Sequence, residues 1–252
     1  MITTHATRRV TIPCAGTTLY GDLSWPIVPG RVHGLAVIAH ANSGSRLNPR
    51  NQALAAALNK TGFATLLTDL LGTDEDQWEA SAARARYDVD LLTSRLTAVV
   101  ERVARLEVEV AALPVAVVGT GATAAAAVRA AALLAAPAPS PAGVRPPREG
   151  RIDAVVSRNG RPDLWTGTPA VPVLSLVAEL DREGRERHRA SPAGEVRVVE
   201  GAADLVEDRY AVEAVAVLAG RWLADELDPG HLGPGHPDPG DTAPDSSSPG
   251  SG

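Results

Sequence analysis

The residues most able to do chemistry stand where the apolar run Leu113-Pro-Val-Ala-Val-Val breaks at Gly119-Thr120-Gly121-Ala122-Thr123 and passes into the alanine series that ends at Val128. A buried strand turning at glycines straight into a helix has the form of a nucleophile elbow, G-x-S-x-G. There a strained turn lifts the attacking residue, two positions after the first glycine, to the helix N-terminus. Counted from Gly119, that position is Gly121, which has no side chain with which to attack. Thr120 and Thr123 flank it, but one step off an elbow a side chain points elsewhere, and capping or packing accounts for both hydroxyls. Ser43 and Ser45 belong to the polar loop His40-Ala-Asn-Ser-Gly-Ser-Arg46, where they are expected to satisfy backbone groups or meet ligand oxygen. His40 is the histidine nearest the turn in this reading, with a role in shaping that loop. His188, in Arg185-Glu-Arg-His-Arg189, reads as part of a solvated basic face.

The elements that position these residues follow from hydrophobic periodicity. Arg9–Ile12 and Thr18–Leu23 alternate as half-buried strands do, with Ala15-Gly16 between them as a hairpin turn. Continuous apolar runs at Gly34–Ala39, Ala64–Thr68, Ile152–Ser157, Val171–Val177 and Glu195–Val199 read, with the elbow strand, as strands of a largely buried sheet. Asn48 and Pro49 open a helix that runs to Lys60. The spacing of Val89, Leu92, Leu96, Val99, Val100 and Val103 predicts a long helix over Arg84–Leu106. Ala124 to Ala127 are small enough for the helix after the elbow to lie close on the sheet. Arg182–Arg189 reads as a short exposed helix, and Arg209–Leu227 as the closing one.

Composition bounds the function. A chain of 252 residues, 44% apolar, holds one well-buried α/β domain. The formal charge of −6 comes largely from the last 25 residues, which carry four aspartates and no Lys or Arg, so the body is nearly balanced. It offers no basic stripe for phosphates, and nucleic acid is not an expected partner. The single cysteine, Cys14, excludes an intramolecular disulfide and a cysteine-based zinc cluster. No apolar run has membrane-spanning length, the first residues lack the apolar core of a signal peptide, and a cytoplasmic location is expected. Residues 228–252 hold six prolines and six glycines and are expected to form a disordered tail, its His231 and His236 outside any site. The five prolines of Pro137–Gly150 mark a surface loop rather than a domain boundary.

Further stretches, in order, carry a resemblance. They are His40–Arg46 with Pro49-Arg-Asn51, Gly62-Phe-Ala-Thr-Leu-Leu-Thr-Asp69, the elbow, Val155-Val-Ser-Arg158-Asn-Gly-Arg161-Pro-Asp163, Asp181, and Gly201-Ala-Ala-Asp204. Together they resemble the α/β-hydrolase superfamily over residues 8–227, and within it the dienelactone-hydrolase-like branch, found alone or fused to phosphoribosyltransferase domains. The resemblance implies a three-layer α/β fold: a mostly parallel, doubly wound sheet of about eight strands with an N-terminal hairpin. It also implies a triad of Ser or Cys, His and Asp. The nucleophile position is Gly121 and the base position is Asp204; Asp181 alone carries the expected residue type. Loss of nucleophile or base costs on the order of 10⁶ in kcat where such triads have been dissected.

The expectation is therefore a small-molecule- or partner-binding pseudo-hydrolase whose ligand-binding residues are His40, Asn42, Ser43, Thr120, Ala122 and Thr123, with no cofactor and no metal. Two alternatives stand beside it. One is a hydrolase of esters, thioesters or lactones using Ser43 or Thr123 as an unorthodox nucleophile; the other is an interaction scaffold. A homodimer and a phosphoribosyltransferase-type partner both remain open.

Overall fold

The structure, a computed structural model, describes all residues except 1–6, 15, 27–30, 77–83, 107, 136–149, 166, 191–193, 209 and 229–252. The expected tail after Asp228, most of the proline-rich loop and Ala15 of the hairpin turn fall outside the described residues. Eight strands form one sheet in the order β1-β2-β4-β3-β5-β6-β7-β8. β1 (Thr7–Cys14) and β2 (Thr17–Ser24) form the antiparallel hairpin, and β2 lies antiparallel to β4 (Ala64–Asp69). β3 (Leu35–His40), β4, β5 (Val115–Gly121), β6 (Ala154–Gly160), β7 (Val173–Ala178) and β8 (Glu195–Val199) run parallel.

Strand side chains alternate between two cores, as a pleated strand requires. Leu35, Val37 and Ala39 of β3 face a cluster containing Leu92, Leu96, Val99 and Ala126, whereas Ala36 and Ile38 face one containing Leu54, Leu58, Val215 and Trp222. The first layer belongs to α2 (Val89–Val103) and α3 (Ala122–Leu133), the second to α1 (Pro49–Lys60) and α5 (Ala211–Glu226). The topology is thus a doubly wound sheet covered on both faces, with the C-terminal ends of the parallel strands converging on one edge, where such sheets bind ligands.

Three expectations need correction. The long helix is shorter than its apolar stripe implies: it begins at Val89 because the Asp88 side chain caps it by accepting from Leu91 N at 3.0 Å, which leaves Arg86 and Tyr87 in a turn. The closing helix begins at Ala211 rather than at Arg209. The helix α4 (Arg182–Ala190) is not solvated all round. His188 is 3% exposed, with Nδ1 2.8 Å from Gly184 O, because the four-residue spacing turns it inward while its arginine neighbours face out.

Candidate functional site

The turn expected as an elbow has the backbone of one, with glycine at its tip. Gly121 has φ 53 and ψ −125, outside the ordinary regions for an L-residue, at the junction of β5 and α3. A Cβ placed on Gly121 would meet nothing within 4 Å, so the space above the turn is open. Two residues earlier the reverse holds: a Cβ on Gly119 would lie 2.8 Å from Ala124 N. Glycine at 119 lets α3 sit against the strand, which is the close packing that the alanine series also provides.

A polar loop stands over the turn and is fixed from below. Asp69, at the end of β4 and in register with His40, accepts from Gly44 N through Oδ2 and from Arg46 N through Oδ1, each at 2.9 Å. Arg46 Nε lies 3.4 Å from Asp69 Oδ2, and its Nη1 donates to Asp22 Oδ2 at 3.1 Å. Burial pushes the Asp69 carboxyl up, against the pull of the two backbone donors and of Arg46. Asn51 Nδ2 donates to Ser45 O at 2.9 Å, and Asn48 caps α1 by accepting from Arg50 N.

His40 is 5% exposed, and its pKa is lowered to about 3, first by burial and then by the charge of Arg158. Its Nε2 is 3.4 Å from Arg158 Nη2. Asn51 favours the protonated ring slightly, and Nδ1 has no hydrogen-bond partner among the described residues. The ring is therefore neutral and accepts at Nε2. Arg158 is 1% exposed and the largest of the fully buried side chains; its pKa is lowered to about 10 by burial, and Asp204 opposes the shift. No carboxylate of the described residues lies within 4.0 Å of its guanidinium, and Nε has no hydrogen-bond partner.

Asp204 and Asp181, the expected base and acid positions, both have structural partners. Asp204 Oδ1 accepts from Val206 N and Glu207 N, both at 2.6 Å, and Oδ2 accepts from Asn159 Nδ2 at 3.2 Å. Asn159 has φ 45, the one positive φ outside glycine among the described residues, and its Oδ1 accepts from Ala178 N. Asp181 Oδ1 accepts from Gly184 N at 2.8 Å and so caps α4. The two carboxylates have separate partners, and among the described residues no group of three His, Cys, Asp or Glu has metal-holding geometry.

A cavity of about 310 Å³ opens above Gly121. His40, Asn42, Thr120, Gly121, Ala122 and Thr123 line it, as does Ser45; Ser43, half-buried in the same loop, is not among its lining. Ala41, Asn48, Arg50, Asn51 and Val206 also line it, with Arg86, Tyr87 and Glu207, which escaped the sequence reading because each lies in a turn without a motif. Arg158 carried one usable signal, a charge closing the apolar strand Ala154-Val-Val-Ser-Arg158.

No protein-family model matches the chain. Two curated relatives from strains of Mycobacterium tuberculosis, each named "Putative phosphoribosyl transferase", are 37% identical over 208 residues, which is 79% of this chain and 43% of theirs. The chain thus spans less than half the length of the curated relatives it matches. Among solved structures, a dienelactone hydrolase from Anabaena variabilis superposes with a TM-score of 0.71 at 27% identity, over 88% of this chain and 98% of that one. A dienelactone hydrolase-like promiscuous phosphotriesterase from metagenomic libraries (TM-score 0.60, 19% identity, 88% and 98% covered) and Est1E from Butyrivibrio proteoclasticus (0.61, 15%, 87% and 98%) share the fold.

Proposed function

We propose that this chain, which has an α/β-hydrolase fold of the dienelactone-hydrolase-like kind, binds a small molecule above its elbow and does not hydrolyse it. The observation that carries this reading is the pairing of a retained elbow backbone with open space at Gly121, where an attacking atom belongs. The proton-accepting partner is missing too. Asp204 stands at the base position with both oxygens engaged by Asn159, Val206 and Glu207. His40, the histidine that lines the cavity, turns Nε2 toward a guanidinium rather than toward a hydroxyl. A nucleophile needs a base within hydrogen-bond reach, and this arrangement offers neither.

The test is incubation with activated esters, read by intact mass and by product release. No adduct and no turnover are expected. An acyl adduct that forms and turns over, and is lost in Thr123→Val or Ser43→Ala, overturns the reading.

The names and lengths of the curated relatives favour a phosphoribosyltransferase-type protein as partner, because the matched segment leaves more than half of each relative for a second function. Sedimentation of this chain with a phosphoribosyltransferase from the same organism is expected to give a joint species; independent sedimentation overturns that assignment.

A further inference from the structure

The helix α3 opens onto the cavity uncapped. Gly121 occupies its N-cap, which makes no side-chain capping hydrogen bond, and the first turn holds no acidic residue. The first N–H groups of a helix have no intrahelical acceptor, and the aligned peptide dipoles place partial positive charge there. A helix start of this kind is an anion site only if something else is arranged around it, and here four further features are.

Thr123 lines the cavity, is 1% exposed, and its Oγ1 has no hydrogen-bond partner among the described residues. A buried hydroxyl left in this state is destabilising, a penalty that a ligand acceptor removes. Behind the cavity wall the guanidinium of Arg158 is buried with no carboxylate of the described residues in ion-pair range, and its polar contact is with His40, which lines the cavity. At the rim Arg50 adds a further cation beside the lining carboxylate Glu207. Finally, the open space over Gly121 lies directly above the helix start, so a group can sit where a nucleophilic side chain would otherwise stand. Backbone donors, a buried hydroxyl and positive charge thus border one cavity, which is the recognition chemistry of an anionic acceptor.

Resting on the non-hydrolytic reading above, we infer that this cavity holds the anionic oxygen group of a small ligand, a carboxylate or a phosphate, seated over Gly121. Its oxygens face the N-terminus of α3 and the hydroxyl of Thr123. The cavity is larger than such a group alone, and the rest of it takes the ligand's body against the ring of Tyr87 and the methyl of Ala122.

Calorimetric titration of the full chain at low ionic strength with butyrate, inorganic phosphate and the neutral amide butyramide tests the assignment. At least one anion is expected to bind saturably with Kd below about 1 mM, at least tenfold more tightly than butyramide. Binding of butyrate alone identifies the carboxylate as the anion, and binding of phosphate alone identifies the phosphate. Thr123→Val, nearly isosteric, is expected to weaken the bound anion at least about fivefold, the effect of one hydrogen bond to a charged group. Gly121→Ala, whose methyl enters the seat, is expected to weaken it more than tenfold. Equal affinity for butyrate and butyramide with phosphate silent, or an anion affinity unchanged in Thr123→Val, overturns the site. Parallel exposure to 4-nitrophenyl butyrate separates the two readings. Nitrophenolate release by the wild type that falls in Thr123→Val overturns the non-hydrolytic reading, whereas silence in both assays overturns the anion site alone.

Discussion

Arg158 Nη2 stands 3.4 Å from His40 Nε2, deep behind the elbow, and this pairing fixes the state of the histidine. A guanidinium is a donor at every accessible pH, so the ring nitrogen facing it must accept. An imidazole held in this way is a poor general base, because taking a proton at Nε2 would set two cations against each other in a buried site.

The first prediction is the acid sensitivity that follows. The pKa of His40 is about 3 in the fold against an ordinary 6.5. The unfolded chain therefore binds the extra proton first, and the stability conferred by the neutral ring is complete above about pH 6.5. It falls as the pH drops from there toward 3, at up to about 1.4 kcal/mol per pH unit. Asp69, in register with His40, works the other way: its carboxyl is raised, so protonation in acid favours the fold and offsets part of the loss. The ring signals of His40 in a proton NMR titration are expected to stay flat from pH 8 to pH 4, moving only with unfolding. A midpoint near 6.5 in the folded chain would contradict the buried pairing.

A second prediction separates the two causes of that shift. Burial is the larger and the charge of Arg158 the smaller. Arg158→Met, which keeps most of the buried stem, should raise the pKa of His40 and still leave it below the ordinary value. A return all the way to 6.5 would mean that the charge dominates.

The sheet and its helices were legible in the sequence because buried strands and amphipathic helices carry their periodicity openly. Val37 and Ile38 facing opposite cores is the two-residue alternation that any pleated strand must show. The elbow was legible because glycine spacing at 119 and 121 marks one backbone path. What the sequence did not disclose depends on contacts between distant segments. Arg158 and His40 lie 118 residues apart, and nothing local to either predicts the other. His188 looked solvated because its neighbours are arginines; only the docking of α4 on β7 shows which side of that helix is covered. Asp204 likewise reads as a lost base until its bonds to Asn159, Val206 and Glu207 show what the carboxylate does instead.

The third prediction concerns that carboxylate. Asp204→Ala removes three acceptor contacts at once and leaves two backbone N–H groups of the turn without a side-chain partner. A loss of roughly 1–3 kcal/mol is expected. Asp204→Asn keeps a carbonyl oxygen able to accept from Val206 N and Glu207 N, and should lose less than Asp204→Ala. Denaturant unfolding of the two variants checks the order, and equal losses would mean that the turn does not depend on those bonds.

The fourth prediction uses the vacancy at Gly121. A thiol placed there by Gly121→Cys enters open space at the N-terminus of α3, where the helix dipole favours the thiolate and lowers its pKa below about 8.5. The native Cys14 is held the other way, its pKa raised by burial. Alkylation by iodoacetamide at pH 7, followed by intact mass, should label the introduced cysteine at least about tenfold faster than Cys14. Comparable rates would show that the helix end is not electropositive, and would weaken the case for an anion there.

The last prediction contrasts one substitution at two glycines two residues apart. Gly119→Ala drives a methyl to 2.8 Å from Ala124 N and 3.0 Å from Ala124 Cα, backbone atoms that can yield only if α3 moves away from β5. That displacement spoils the packing of Ala124 and Ala127 on the sheet, and overpacking of this kind typically costs about 1–3 kcal/mol. Gly121→Ala meets no atom, but holds an L-residue at φ 53, ψ −125, a strain of about 1–3 kcal/mol with a different origin. The two losses can be equal in size, so melting temperature alone does not distinguish them. A crystal structure of each variant does: α3 is expected to stand off β5 in Gly119→Ala and to keep its place in Gly121→Ala. Displacement in both would mean that the elbow is limited by packing throughout; displacement in the first alone separates steric contact at 119 from backbone strain at 121.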